Sequence, residues 1–143
     1  MRERKDKGRH TPNTEIPAPL KPGDRFVSFS FKYLELNGNA KFALSKCDDL
    51  PDYVHKLLAR IRDIEGMRVN DFRFGGSDAL RCHAITWDAT TEKNGFSHLN
   101  QQLRANTPWQ FCVSVNEHGR VHGFFVESVF FIVWLDPKHL LYP

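Results

Sequence analysis

The last third of the chain alternates between apolar and polar residues, and this pattern limits the fold more than any other feature of the sequence. The run is WQFCVSVNEHGRVHGFFVESVFFIVWLDP, starting at Trp109. A period of two residues is typical of strands whose two faces meet different surroundings. Turn residues interrupt the run near Glu117–Gly119 and near Glu127–Ser128, so it predicts a three-stranded antiparallel meander.

The turns also predict which residues pair. A three-residue loop ending in a left-handed Gly119 places Ser114 opposite His122, and a two-residue loop places Phe125 opposite Phe130. One face of the meander is then apolar throughout, so we expect helices to cover it. That face carries Phe111, Val113, Val115, Val121, Phe125, Phe130, Ile132 and Trp134.

The opposite face mixes hydrogen-bonding groups with aromatic rings. A face open to water normally has fewer large apolar side chains, and a covered face normally lacks Arg and His. We therefore expect a shallow groove that a ligand completes. This mixed face carries Gln110, Cys112, Ser114, Asn116, Arg120 and His122, bordered by Phe124, Phe131 and Val133.

The segment CDDLPDYVHKLLARIRDIEGM predicts an amphipathic helix. Asp48 or Asp49 can cap its first turn, Pro51 is tolerated there, and Gly66 can end it. Apolar residues recur at intervals of three and four, which is typical of a helix that packs on a core. This stripe consists of Leu50, Val54, Leu57, Leu58, Ile61 and Ile64.

Three further segments complete the prediction of secondary structure. RFVSFSFKYLEL alternates and predicts a strand, and the Asn37–Asn39 turn predicts that AKFALS returns antiparallel to it. ALRCHAITW predicts a strand with Arg81, His83, Ile85 and Trp87 on one side. GFSHLNQQLRAN predicts a short helix that presents Phe96, Leu99 and Leu103. Together these elements predict a single α+β domain over residues 25–143, with an antiparallel sheet and about two helices packed on one face.

Composition separates a basic arm from a nearly neutral body. Residues 1–24 include four prolines and few large apolar side chains, which predicts a flexible arm, or one that becomes ordered on an acidic partner. The arm supplies two of the three net positive charges. Three widely spaced cysteines without a CxxC motif, and the absence of an apolar run of ~18 residues, predict a cytoplasmic protein with reduced thiols.

Two Arg/His pairs are the strongest candidates for chemistry. Arg120 and His122 are two residues apart on one predicted strand, and Arg81 and His83 have the same spacing on another. Side chains at this spacing project in parallel, about 7 Å apart. Arg can neutralise a phosphate and His can move a proton, so the pairs suit a phosphodiester whose 2′-hydroxyl serves as nucleophile. The alternative use of all four side chains is structural hydrogen bonding.

The C-terminal WLDPKHLLYP adds Asp136 and His139. Asp136 can orient a histidine, or it can open a turn and accept backbone N–H groups. Three aromatic residues that we expect to be exposed beside Arg120, namely Phe124, Phe131 and Trp109, can stack on bases or contact a partner protein. The seven histidines lack the spacings that recur in zinc sites, so we expect neither a metal nor a cofactor.

From about Phe26 to Pro143 the chain resembles a group of small, largely uncharacterised bacterial proteins. SFSFKYL, LRCHAITW and the ending GFF…VWLDPxH carry this resemblance. In outline, helices on an antiparallel sheet with a C-terminal meander are also similar to RelE/ParE-type toxins. Those toxins carry basic residues on the open face of the sheet, and RelE-type members cut mRNA without a metal ion.

The sequence therefore yields two hypotheses for function. The first is a nucleic-acid-directed protein, specifically a metal-independent toxin-type ribonuclease in which Arg120 and Arg81 hold phosphate and His122 or His83 acts as acid or base. Ser114, Asn116, Gln110, Phe124, Phe131, Asp136 and His139 would then line the binding surface. The second is a non-catalytic module that binds a protein partner, such as an antitoxin or a defence-system subunit, through the same mixed face.

Overall fold

A computed structural model describes residues 18–37, 39–75, 80–114 and 119–143, and within them it confirms the predicted α+β domain. The strands are β1 (Ser28–Ser30), β2 (His83–Ala84), β3 (Pro108–Cys112), β4 (Arg120–Val126) and β5 (Val129–Asp136). The α-helices are α1 (Leu50–Glu65), α2 (Val69–Phe74) and α3 (Gln101–Arg104). The strands form one sheet in the order β1-β5-β4-β3-β2, and short 3-10 turns occur in the connections.

The C-terminal meander is present as predicted, but the N-terminal hairpin is not. Strands β2 to β5 pair antiparallel, whereas β1 lies parallel to β5, so the sheet is mixed. The segment predicted to return from the Asn37–Asn39 turn instead forms two 3-10 turns, Ala40–Phe42 and Leu44–Lys46. The side chain of Asn39 caps the first of these by accepting from the backbone N–H of Lys41, an alternative that favours a turn over a strand. Gly38 lies outside the described residues.

Helix α1 has the ends that the sequence predicts. The Asp49 side chain accepts from the backbone N–H of Asp52 and caps the helix, and Gly66 follows its last residue. The buried side is narrower than the predicted stripe and includes a residue that the prediction left out, Tyr53. It consists of Tyr53, Leu57, Ile61 and Ile64. Three apolar members of the predicted stripe, Leu50, Val54 and Leu58, are exposed.

Helices α1 and α2 pack on the predicted apolar face of the sheet, which confirms two helices on one face. Phe72 of α2 lies at the centre, with its ring 5.5 to 5.9 Å from those of Phe111, Phe125 and Phe130. Burial of this face is the main stabilising contribution, at roughly 1.5–3 kcal/mol for each large side chain. The sheet contributes Trp109, Phe111, Val121, Phe125, Phe130, Ile132 and Leu135, and Val113 follows directly after β3. Trp109 is buried on the side of the helices, so the prediction that it is exposed is wrong.

The predicted register between β3 and β4 is wrong by four residues. His122 lies opposite Gln110 instead of Ser114, and Arg120 lies opposite Cys112 instead of Asn116. A shift by an even number leaves every side chain on its original face, so apolar alternation does not distinguish the two registers. Gly119 has the predicted positive φ of 66°, while Glu117 and His118 lie outside the described residues.

A bulge overturns the predicted position of Trp134. From Phe125–Phe130 to Gly123–Ile132 the pairing of β4 with β5 is as predicted, but His122 then pairs with Trp134. Val133 is the extra residue, and a bulge of this kind reverses the alternation beyond it. Trp134 therefore packs on the mixed face, and Leu135 replaces it on the apolar face.

The predicted open groove on the mixed face is also wrong, because a second apolar layer covers it. The ring of Phe42 stacks on Trp134 at 4.6 Å, and Phe96 meets Trp134 at 4.9 Å. The residues that cover the face come from turns, from the connection that contains α3, and from the C-terminus, none of which forms a long helix. The cluster they build includes Tyr33, Phe42, Ile85, Trp87, Phe96, Leu99, Leu103, Leu141 and Tyr142.

Two other predictions concern segments at the limits of the structure. Most of the predicted arm, residues 1–17, lies outside the described residues, and Pro22–Asp24 forms a 3-10 turn. The predicted strand around ALRCHAITW is reduced to the two residues of β2. Among the described helices, none has both the length and the apolar character that crossing a membrane requires.

The helix cap provides a test of the fold. We expect Asp49→Ala to lower the free energy of unfolding by about 1 kcal/mol, because the N–H of Asp52 loses its acceptor. Asp48→Ala is the matched control: its side chain is 89% exposed and pairs with Lys138, so we expect a loss below about 0.5 kcal/mol. Urea denaturation measures both, and equal losses would contradict the assignment of the cap.

Candidate functional site

Both predicted Arg/His pairs meet in one cluster at the β2 side of the sheet. We call this group, which consists of Arg81, His83, Gln110, Arg120, His122, Asp136 and His139, the histidine cluster. Strands β2, β3 and β4 place His83, Gln110 and His122 side by side, because Gln110 pairs with both neighbours. Asp136, the last residue of β5, and His139, in the segment that follows, close the cluster from the other side.

A chain of hydrogen bonds runs from the surface to the core of the cluster. Gln110 Oε1 lies 3.1 Å from His122 Nε2, and Gln110 Nε2 lies 3.1 Å from His83 Nε2. His83 Nδ1 is 2.8 Å from the carbonyl oxygen of Ala84. These partners are all satisfied when Nδ1 of His83 and Nε2 of His122 carry the protons and Gln110 donates to His83. The Nδ1 atom of His122 then carries no proton, and its lone pair has no hydrogen-bond partner.

Asp136 performs the turn role, one of the two that the sequence left open. One carboxylate oxygen accepts from the backbone N–H of Leu140 at 2.8 Å, and the other accepts from Leu141 at 3.0 Å. The separation of 3.6 Å from His122 Nε2 is too long for a strong hydrogen bond. Asp136 therefore secures the C-terminal segment over the cluster. Burial raises the pKa of this carboxyl, while the backbone donors and Arg120 act in the opposite direction.

His122 is sealed inside the protein, which removes it from the accessible surface that the sequence predicted. It is fully buried, and the edge of Phe42 packs beside it at 5.7 Å. Burial, which has the largest effect, and the charges of His139, Arg120 and His83 together lower the pKa of His122 to about 3. These effects outweigh the proximity of Asp136, so the imidazole is neutral at physiological pH.

Three members of the cluster are exposed: Arg81, His83 and His139. Arg81 has a φ of 46° and His139 a φ of 55°, a left-handed conformation that is unfavourable for residues other than glycine. Such backbone costs of roughly 1–3 kcal/mol persist where surrounding contacts impose them and are common at functional sites. Burial lowers the pKa of His139, as do the nearby charges of Arg120, His83 and Arg81.

Arg120 lies beneath this surface. Its side chain donates to the carbonyl oxygen of Gly119 at 3.0 Å, and the residue is 9% exposed. Its charge, together with those of Arg81 and Arg60, acts on Cys112 and opposes the rise in pKa that burial causes for that thiol. The cluster is thus a region of positive potential in which a single carboxylate, Asp136, is buried.

The remaining predicted binding residues are dispersed. Phe124 is buried in the second apolar layer, where its ring stacks on Phe131 at 5.4 Å, and Phe131 also meets Tyr33 at 5.2 Å. The prediction that these rings form an open stacking surface is therefore wrong. Ser114 is half-buried beyond the end of β3, and Asn116 lies outside the described residues.

One neighbour of the cluster was not predicted. The ring of Tyr142 lies 5.7 Å from that of His83, and its hydroxyl accepts from the backbone N–H of Thr86 at 3.1 Å. An aromatic residue three positions after His139 was the available signal. It could not identify the contact, because the path of the C-terminal segment depends on Asp136.

Two other types of site, a metal centre and a reactive cysteine, have less support among the described residues. Within the described ranges, no group of three His, Cys, Asp or Glu side chains is arranged to hold a metal ion. The cysteines Cys47, Cys82 and Cys112 are all unpaired. Burial raises the pKa of Cys82 to about 12.

Comparison with known proteins yields no match to a family model, to a curated protein or to a solved structure. The resemblances to the group of small bacterial proteins and to RelE/ParE-type toxins therefore stay predictions.

The buried imidazole provides a pH test. Because the pKa of His122 is lower in the folded state than in the unfolded state, the unfolded state binds more protons as the pH falls below about 6.5. Stability is therefore lost on acidification. We expect the wild type to lose about 1 kcal/mol more than His122→Gln between pH 7.0 and 5.5, measured by urea denaturation. Parallel pH profiles for the two proteins would show that His122 is not held neutral.

Proposed function

We propose that the chain is a ribonuclease of the toxin type, which cleaves single-stranded RNA with the exposed part of the histidine cluster. The observation that carries the proposal is that two exposed histidines, His83 and His139, lie near a third exposed residue, Arg81. RNA supplies its own nucleophile in the 2′-hydroxyl, so an acid, a base and a phosphate-binding cation are sufficient.

The roles differ from those that the sequence predicted, because His122 is buried. Arg81 binds the phosphate, and Arg120 adds positive potential from below. His139 is the base, since a lowered pKa keeps its imidazole neutral near pH 7. His83 is the acid. A protonated His83 ring can no longer accept from the Gln110 NH2 group, so its Nε2–H is free to donate to the leaving oxygen.

The reaction is an internal transfer at phosphorus. His139 takes the proton of the 2′-hydroxyl, and the oxygen attacks the adjacent phosphorus. The bond from phosphorus to the 5′-oxygen breaks, and His83 donates a proton to that oxygen. The products are a 2′,3′-cyclic phosphate and a 5′-hydroxyl, and no electrons enter or leave. An RNA substrate suits a cytoplasmic protein. The three unpaired thiols are consistent with the same location.

Cleavage of a single-stranded RNA in the presence of a chelator tests this proposal. We expect His83→Ala and His139→Ala each to reduce the rate by at least about 100-fold, which is the usual contribution of a general acid or base. DNA of the same sequence should stay intact, because it lacks the 2′-hydroxyl. The products should carry cyclic phosphate and 5′-hydroxyl ends.

His55→Ala is the control, because His55 is exposed on α1 away from the cluster. It should cleave at the wild-type rate. Wild-type protein that leaves RNA intact between pH 5 and 8, or histidine variants that cleave as fast as the wild type, would refute the proposal.

A second candidate function is binding of a protein partner, and the exposed apolar row on α1 favours it. Leu50, Val54 and Leu58 are four residues apart and are 42%, 38% and 56% exposed. Residues at this spacing form one side of a helix, which is a common contact surface for a second protein. An antitoxin or a defence-system subunit would fit this role. In that case the wild type leaves RNA intact, and Leu58→Glu releases a partner that the wild type retains.

A further inference from the structure

A second polar feature lies on the same side of the sheet as the histidine cluster. It is an open cleft of about 560 Å³ between the segment after β2 and the segment before β3. We call it the Trp87 cleft. Its lining includes the half-buried indole of Trp87, the cations Lys93 and Arg104, and the amide side chains of Asn94 and Gln101.

The charge of the cleft is one-sided. Among the residues that the structure describes, no Asp or Glu lines it. Lys93 Nζ lies 3.2 Å from the carbonyl oxygen of Asp88, and Arg104 Nη2 lies 3.3 Å from that of Asn94. Carbonyl oxygens orient these two cations without neutralising them, since neither forms an ion pair with any residue of the described ranges. The neighbouring acid Glu92 is paired with Lys41 at 3.0 Å. The cleft therefore suits an anion.

Trp87 forms a fixed wall of the cleft. Its ring meets those of Phe96 at 4.9 Å and Trp134 at 6.0 Å, so the second apolar layer holds it from behind. Gly95, with a φ of 66°, passes so close that a Cβ atom there would lie 2.8 Å from the indole. An aromatic wall beside two cations is the combination that binds single-stranded nucleic acid, because bases pack on aromatic rings and phosphates bind Lys and Arg.

The cleft and the histidine cluster are neighbours along β3. Pro108, which lines the cleft, is two residues from Gln110 on β3 and thus faces the same side, roughly 7 Å away. Tyr142 joins the two regions, because its ring contacts His83 and its hydroxyl accepts from Thr86, the residue before Trp87. A strand of RNA whose phosphate lies at Arg81 can therefore extend toward Trp87.

We propose that the Trp87 cleft is the subsite for the nucleotide next to the cleaved phosphate, with Lys93 and Arg104 binding its phosphate. This inference rests on the proposed ribonuclease function. It implies that the substrate contains at least two adjacent nucleotides of a single strand.

Binding of a fluorescein-labelled oligothymidylate of about ten deoxynucleotides separates this inference from cleavage, because DNA lacks the 2′-hydroxyl. Fluorescence anisotropy measures the dissociation constant at several salt concentrations. We expect Lys93→Gln/Arg104→Gln to weaken binding at least tenfold at low salt. The slope of log K against log salt should fall by about 0.7, because the two cations bind one phosphate and each phosphate contact to a single strand contributes about 0.7.

The matched control is Lys56→Gln/Arg62→Gln on the exposed side of α1, which removes the same charge. It should bind nearly as the wild type does. Both double variants should have the melting temperature of the wild type. If the cleft double variant does not, Lys93→Gln alone replaces it in the binding measurement. Equal weakening in both variants, unchanged binding in the cleft variant, or no binding by the wild type would each overturn the inference. Binding that depends on the cleft in a protein that cleaves no RNA would show that the cleft binds single strands, but it would refute the ribonuclease and with it the assignment of the cleft as a subsite for cleavage.

Discussion

The hydrogen bond between Gln110 and His122 is the interaction on which the rest of the site depends. It lies between two buried side chains, where an unpaired polar group costs roughly 1–3 kcal/mol. Because Gln110 also reaches His83, the same amide connects the buried imidazole with the exposed one. Asp136 then fastens the C-terminal segment over this layer through two backbone N–H groups. The buried side chains of Gln110 and Asp136 thus fix the positions of the exposed groups.

The bulge in β5 makes this layer possible. With uninterrupted alternation, Trp134 would lie among the helices and Asp136 would follow it onto that apolar side. Because of the extra residue, Val133, Trp134 lies beside His122, and Asp136 pairs with Arg120, the first residue of β4. A local irregularity of one residue therefore separates an apolar core from a second layer that tolerates charge, as bulges near functional sites often do.

The sequence predicted the elements whose signals are local. The Asp49 cap, the Gly66 end and the meander required only nearby residues, and all three are present. The hairpin at Asn37–Asn39 failed because Asn39 capped a 3-10 turn instead. The register of β3 with β4 failed because a shift of four residues preserves both faces.

The sequence predicted which residues form the site, but not which of them are exposed. The two predicted pairs, Arg81 with His83 and Arg120 with His122, do come together. His83 lies on β2 just after Arg81, the other pair lies on β4, and β3 pairs with both strands. Alternation shows which side chains share a face, but it does not show whether a remote segment covers that face. Phe42, which lies far from β4 in the sequence, packs against His122. Only tertiary packing identifies His83 and His139 as the exposed imidazoles.

The most direct measurement of this arrangement is the nitrogen chemical shift of each histidine ring by NMR between pH 7 and 5. Our account requires His122 to keep a single neutral form throughout, with the proton on Nε2 and a bare Nδ1. A His122 ring that gains its second proton near pH 6.5, as an imidazole in water does, would contradict the sealed layer and with it the division of roles between buried and exposed histidines.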